Sequence, residues 1–566
     1  MPGAGRYSPA PMNAAARLHA FLRTPRSPRT AACWLALWLA VVGNLALWRA
    51  LLEIGGSASA PLNLFGTFVV VLAAITALMA LLAWGRWWKP VWIAVLVAAG
   101  VAQHFMLTYG VVMDSAMLAN TLQTDPREMR DLTGLAFIGN MLLVIAVPLL
   151  FVVFVPVRRT PWWPQLWKNA ALFAGAIAVT AASSFAMFSQ LAPIVRTNMN
   201  LRYIVNPIAG FGSAIWIAAA PMFKMTKGLV PITAGAALGP RYATETKPPL
   251  LVIVVGETAR ADHFALNGYP RPTTPELAAR GVWNWPDVHS CGTDTRASVP
   301  CMFSSLGKAG FEKRKSEHEN LLDVLQAAGL AVLWLDNQSG CKEVCARVPS
   351  ASTSDLAADV AARLCSDGEC LDPALLVGLD ERLAKLPEAR RQKGIVLVMH
   401  QMGSHGPAYY RRSAPAQKRF VPECTLTALA DCPPGTLVNA YDNTIVATDQ
   451  FLAATIDWLG ARSAQNATAL LYMSDHGESL GELGIFLHGL PYALAPEVQK
   501  RVPFVAWMSD DMARRLDIDR ACVVASLAAP RSHDNLYSTV LGVVDVATPT
   551  YRPELDVFAA CRPKSR

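Results

Sequence analysis

Charge is what this sequence has least of. Only 16% of its 566 residues are Asp, Glu, Lys or Arg, while 53% are hydrophobic. That balance tilts toward a membrane protein, and the length exceeds one ordinary domain. The scarcity is uneven. Residues 32–190 are mostly apolar, whereas residues 246–566 have the composition of a soluble α/β protein. A basic surface for nucleic acid is also missing. Of the net charge of +8, Arg6, Arg17, Arg23, Arg26 and Arg29 supply five with no acid beside them, which leaves about +3 for the remainder. With no DNA- or RNA-binding motif either, no nucleic-acid partner is expected. Cys-x-x-Cys pairs are absent, which argues against a cysteine zinc cluster.

Long apolar runs are what the first third does have. Five spans are read at about 31–50, 62–84, 90–112, 135–157 and 169–190, each long enough to cross ~30 Å of hydrocarbon. The first is too long, and too closely followed by others, for a cleaved signal peptide. The N-terminal arm, the loop with Arg86 and Lys89, and the loop with Arg158, Arg159 and Lys168 carry the basic excess. They fall on one side, which is therefore cytoplasmic. Five crossings then place everything after residue 190 outside. Arg49 and Glu53 cancel in the first loop. In the third loop, 113–134, Arg127 and Arg130 are outnumbered by Asp114, Asp125, Glu128 and Asp131. Asn120, Thr124 and Glu128 are spaced i, i+4, i+8, one polar line on a helix, although Pro126 interrupts it. That line reads either as an exposed face or as a lipid headgroup site at the membrane surface. Trp87, Trp88, Trp162 and Trp163 sit where interfacial aromatics belong.

Of eleven cysteines, Cys33 lies in the first span and the other ten lie beyond residue 290, on the side assigned as external. They fall as close neighbours, Cys291 with Cys301, Cys341 with Cys345, Cys365 with Cys370 and Cys424 with Cys432, which leaves Cys522 and Cys561. An even set in an oxidising compartment reads as disulfides, with neighbour pairing as the expectation. In the absence of a eukaryotic targeting signal, a bacterial inner-membrane protein with its soluble part in the periplasm is expected. The layout is then an arm over 1–30, a transmembrane domain over 31–190, a connector with an amphipathic stretch over 191–245 and a catalytic domain over 246–566.

In that last part, short buried runs alternate with helical stretches: Leu250–Val255, Ala331–Leu335, Ile395–Met399 and Ala469–Met473. The pattern predicts a mainly parallel sheet flanked by helices, with the site at the carboxyl ends of its strands. After those four strands come GETARADH, DNQSGCK, HQMGSHG and SDHGES, bringing Glu257, His400, His405, Asp475 and His476 to one edge. One Asp or His after a strand is usually a cap or a turn. Four such ends together point to a metal site, and carboxylates with imidazole suit zinc best, then manganese. The segment SCGTDTRASVPCMFS supplies hydroxyls between two cysteines, and a hydroxyl on zinc becomes a nucleophile at neutral pH. The residues alone leave Thr293, Thr295 and Ser298 open. His400 either orients the site or fills space.

With these stretches laid out, the chain resembles the lipid A phosphoethanolamine transferases, which include the mobile colistin-resistance enzymes and belong to the alkaline phosphatase/sulfatase-like superfamily. The likeness rests on VVGETARADHFALNGYPRPTTP, SCGTDTRASVPCMFS, HQMGSHGPAYYRR, NAYDNTIVATDQF and YMSDHGESLGELGIFLHG. It implies five membrane helices and a periplasmic sulfatase-like domain. It also implies one firmly bound zinc on Glu257, Asp475, His476 and Thr295, with Thr295 as the nucleophile that carries phosphoethanolamine. His405 and His488 would bind substrate phosphate or an additional zinc, and Asn120, Thr124, Glu128, Ser339 and Lys342 would line the donor headgroup pocket. Asp294 and Arg296 add charge where many relatives are small or neutral. The reaction implied is a ping-pong transfer from phosphatidylethanolamine to a lipid A phosphate by a monomer, masking charge that cationic peptides such as polymyxins recognise. The rivals are transfer to core sugars or a periplasmic glycan, transfer of glycerol phosphate, and a noncatalytic metal sensor. A formylglycine sulfatase is disfavoured, because SVPCMFS lacks the CxPxR-like motif.

Overall fold

The computed structural model describes residues 24–56, 58–123, 129–130, 132–223, 227–366 and 368–563. Most of the arm expected over 1–30, together with Thr124 and Glu128, lies outside them. The chain forms two compact units, one of residues up to Leu118 with Leu135–Trp216, the other of Ala119–Gly134 with Ile217–Arg566.

Among the described residues of the first unit, five stretches are long and apolar enough to cross a membrane: Pro28–Ile54, Pro61–Leu81, Arg86–Tyr109, Leu135–Phe154 and Trp162–Ala186. The first is broken into Pro28–Val41 and Leu45–Ile54, where one continuous helix was expected. The break frees carbonyls inside an apolar environment, and side-chain amides satisfy them. Asn44 Nδ2 donates to Leu39 O at 2.8 Å, Gln103 Nε2 to Val42 O at 2.9 Å and Asn206 Nδ2 to Gly43 O at 2.9 Å. The fifth helix begins at Trp162 rather than 169. Helical hydrogen bonding continues through the Trp-rich interfacial turn, which hydropathy alone assigns to the loop. The connector is also more helical than expected, with Phe188–Thr197 and Ile208–Phe223.

The second unit is built on a seven-stranded sheet: β1 (Pro249–Gly256), β2 (Trp283–Trp285), β3 (Ala331–Asp336), β4 (Ser350–Ser352), β5 (Ile395–His400), β6 (Ala467–Ser474) and β7 (Phe504–Met508). The order across the sheet is β2-β7-β6-β1-β5-β3-β4. The β6/β1, β1/β5, β5/β3 and β3/β4 pairs are parallel, while β7 runs antiparallel to β6 and to β2. Every residue of β1 and β6 is buried. Covered on both faces, these central strands are continuous apolar runs rather than alternating ones. Because β1, β5 and β6 are parallel and in register, Gly256 pairs with Ser474 and Val255 with His400. The segments that follow therefore leave the sheet at a common edge. Five disulfides join Cys291–Cys301, Cys341–Cys345, Cys365–Cys370, Cys424–Cys432 and Cys522–Cys561.

Candidate active site

Three turns at that edge build the centre. After β1, Glu257 is fully buried, and Thr258 follows at φ +52°. A β-branched residue there is strained by roughly 1–3 kcal/mol, and the surroundings hold it. Thr258 N donates to Asp475 Oδ1 at 3.1 Å, and the Tyr441 hydroxyl donates to Thr258 O at 2.7 Å. Tyr441 lies on helix α1 (Thr436–Gly460). After β6, Asp475 Oδ1 also accepts the His476 N–H at 2.7 Å. Gly477 follows because a Cβ there would lie 2.0 Å from Val498 O. The third turn, after β5, lays Gly403 against Glu257. At φ +53°, with a Cβ that would sit 2.7 Å from Glu257 O, that position requires glycine. The half-buried Asp372 fixes the turn by accepting from Met402 N at 2.8 Å, Gly403 N at 3.0 Å, Asn337 Nδ2 at 2.8 Å and Gln401 Nε2 at 3.1 Å. No sequence signal marked Asp372.

The loop that carries the three candidate hydroxyls approaches from the side. Asp294 caps the helix Thr295–Met302 by accepting from Ala297 N at 3.0 Å. That assigns Asp294 a structural task, whereas Arg296 is exposed. Thr295 Oγ1 stands 3.2 and 3.3 Å from the two oxygens of Glu257 and 3.5 Å from His476 Nε2. The other two candidate hydroxyls are engaged elsewhere. Thr293 donates to Leu490 O at 2.6 Å, and Ser298 accepts from Gly292 N at 3.0 Å.

Ligand-type atoms of Glu257, Asp475 and His476 all lie within 4.8 Å of one another. His476 Nδ1 donates to Gly477 O at 2.9 Å, which turns Nε2 toward both carboxylates, 3.4 Å from Glu257 Oε1 and from Asp475 Oδ2, and these outweigh burial and raise the imidazole to about 10. A histidine so oriented by its second nitrogen is the usual form of a zinc-binding imidazole. Asp475 Oδ2 accepts no hydrogen bond among the described residues. Burial and the charge of Glu257 together push the Asp475 carboxyl up. Burial alone would raise Glu257 too, but the hydrogen bond and charge of His476 outweigh it and hold it low. Two facing carboxylates, one with an unsatisfied oxygen, fit a divalent cation between them. The donor set of two carboxylates, one imidazole and a hydroxyl fits zinc.

The His488 ring lies 4.3 Å from that of His476 and 5.4 Å from that of His405, centroid to centroid. His488 Nδ1 is 3.2 Å from Glu478 Oε1, whose charge outweighs burial and raises the imidazole. Burial drives His405 down to about 3, so it stays neutral. Burial also opposes protonation of His400, but Asp336 and Glu257 outweigh it. Its ring sits between Asp336 Oδ2 at 3.4 Å and Glu257 Oε2 at 3.8 Å, behind the centre. Ser339 and Lys342 adjoin each other beyond β3, with Lys342 Nζ donating to Ser339 Oγ at 2.7 Å. Asn120 lies on the helix Ser115–Gln123.

A family signature described as Sulfatase matches residues 249–546, and one described as Phosphoethanolamine transferase EptA/EptB matches residues 71–221. The chain is 35% identical to the phosphoethanolamine transferase EptA of Salmonella typhimurium, across 96% of this chain and 99% of that protein. It is 38% identical to the phosphatidylethanolamine transferase Mcr-1 of Escherichia coli, over 85% of this chain and 87% of that one. The integral membrane lipooligosaccharide phosphoethanolamine transferase A (EptA) of Neisseria meningitidis superposes with a TM-score of 0.88 at 33% identity, covering 94% of this chain and 99% of that one. With one signature in the helical part, another across the sheet, and relatives matched nearly end to end, the chain belongs to the phosphoethanolamine transferase family.

Proposed function

We propose that this membrane enzyme transfers phosphoethanolamine from phosphatidylethanolamine to a phosphate of lipid A through a covalent intermediate on Thr295. The observation that carries the reading is the placement of Thr295 Oγ1 against both oxygens of Glu257 and beside His476 Nε2. Relatives named for phosphoethanolamine transfer, among them Kdo(2)-lipid A phosphoethanolamine 7''-transferase of Escherichia coli at 26% identity, support the group moved and an acceptor of the lipid A class.

Glu257, Asp475, His476 and Thr295 would hold zinc, which when bound supplies Lewis-acid charge that makes a neighbouring hydroxyl nucleophilic at neutral pH. In the first half, Thr295 Oγ bonds to the donor phosphorus and the bond to the glycerol oxygen breaks. Diacylglycerol leaves with the proton that Thr295 gives up, and Glu257 is the nearest acceptor to relay it. In the second half, a lipid A phosphate oxygen attacks the same phosphorus, the Thr295 ester breaks, and the proton that the attacking phosphate gives up restores the hydroxyl. Neutral His405, with His488, faces the phosphoryl oxygens as donors, and Lys342 offers a point charge to phosphate. The five apolar spans support an inner-membrane enzyme with its sheet unit in the periplasm, where donor and acceptor would share one surface at high effective concentration.

The test is mass spectrometry of lipid A from bacteria expressing the chain. A phosphoethanolamine adduct is expected. Unmodified lipid A beside a folded, zinc-loaded protein would remove lipid A as acceptor and direct the search to core sugars or glycans.

A further inference from the structure

One fully buried histidine outside the ligand set joins the two halves of the centre. His533 precedes helix α2 (Asp534–Val543) and is 0% exposed. Its Nδ1 accepts the Cys291 N–H at 3.0 Å, and its Nε2–H donates to Ser474 O at 2.9 Å. Cys291 opens the loop that reaches Thr295 four residues later. Ser474 ends β6 and immediately precedes Asp475 and His476. Both partners are backbone groups, and they need opposite roles: the amide can only donate and the carbonyl can only accept. A neutral imidazole meets both demands on opposite edges of one rigid ring. Each partner is tied further into the site. Cys291 is bound to Cys301. The Ser474 hydroxyl accepts from Ala259 N at 2.8 Å and donates to His476 O at 3.1 Å.

We infer that His533 is a positioning residue that sets the nucleophile loop of Thr295 against the turn carrying Asp475 and His476. No motif reading singled it out, and it touches neither a reacting atom nor a ligand atom. Its effect is the register between two turns that come from distant parts of the chain. The strand edge alone does not set that register, because the nucleophile loop is not part of the central sheet. The inference rests on Thr295 being the nucleophile.

Full-length wild type and His533→Ala, His533→Asn and His533→Gln variants would be purified and compared for zinc content, kcat, KM and amide hydrogen exchange across Cys291–Thr295. Asn retains an acceptor near the Nδ1 position, facing Cys291; Gln retains a donor near the Nε2 position, facing Ser474. His533→Ala is expected to keep its zinc and its KM while kcat falls about 10²-fold, the cost of misplacing a reacting group by an ångström. Its Cys291 amide is expected to exchange faster. The Asn and Gln variants are expected to recover part of kcat, and Asn part of the Cys291 protection. A His533→Ala enzyme with kcat within about threefold of wild type overturns the inference. So do Asn and Gln variants as poor as Ala with zinc and thermal stability lost together, which marks a purely structural residue. Absence of transfer in wild type would instead count against the proposed reaction. Hydrogen exchange then decides for His533 alone, and an unchanged Cys291 amide in His533→Ala overturns the bridge.

Discussion

Replacing Asp372 by Ala is expected to damage the site from a position that touches no reacting atom. The carboxylate accepts from two side chains and from the backbone N–H groups of Met402 and Gly403. Asn337 and Gln401 can turn to other partners, whereas the two backbone donors cannot. Gly403 is buried and pressed against Glu257, so its orphaned N–H costs about 1–3 kcal/mol, and half-buried Met402 adds less, for a total of about 2–4 kcal/mol. At about 2 °C per kcal/mol for a unit of this size, melting should fall by about 4–8 °C. The turn also delivers His405, so transfer should fall by more than the folded fraction does. Asp372→Asn should lie between, since one oxygen still accepts and the new amide can meet Gln401 Oε1, which has no partner among the described residues. Thermal scanning of the detergent-solubilised chain beside a transfer assay reads both effects. An Ala variant that melts within about 1 °C of wild type and transfers at full rate would refute the reasoning.

Asp449 gives a pH test. It accepts from Glu276 N at 3.0 Å and Leu277 N at 2.9 Å at the start of the helix Pro275–Ala279, and burial pushes its carboxyl up to about 6 against those two bonds. A raised carboxyl contributes stability at low pH that is lost as pH rises through the raised value. The melting temperature of Asp449→Asn should therefore gain on wild type between about pH 4 and pH 6 and run parallel above; parallel curves throughout would contradict it. Chelation should lower wild-type melting, with a tight site contributing about 2.7 kcal/mol at a hundredfold excess over its dissociation constant. Added zinc should restore it, and Asp475→Ala should show neither response. A wild type indifferent to chelator would argue against the metal.

Much of the sheet was legible because burial on both faces leaves an unmistakable apolar run, as in Leu250–Val255 and Ala469–Met473. The polar residues after each run announced the edge for the same reason. What escaped the sequence was short or isolated. The antiparallel Phe504–Met508 and the edge strand Trp283–Trp285 are too brief to stand out. The break at Asn44 is one polar residue within an apolar span, and only the placement of Gln103 and Asn206 explains how it is tolerated. The reading of Thr295 over Thr293 and Ser298 turns on which hydroxyls backbone groups engage, Thr293 through Leu490 and Ser298 through Gly292, and spacing does not encode that. Asp372 and His533 act through backbone partners 30 or more and 59 or more residues away, so no local pattern marks them.

The most direct test of the central claim is peptide mass spectrometry of the purified enzyme quenched during turnover with phosphatidylethanolamine. Phosphoethanolamine is expected on Thr295, with no adduct in Thr295→Ala. An adduct on Thr293 or Ser298, or undiminished transfer by Thr295→Ala, would contradict it.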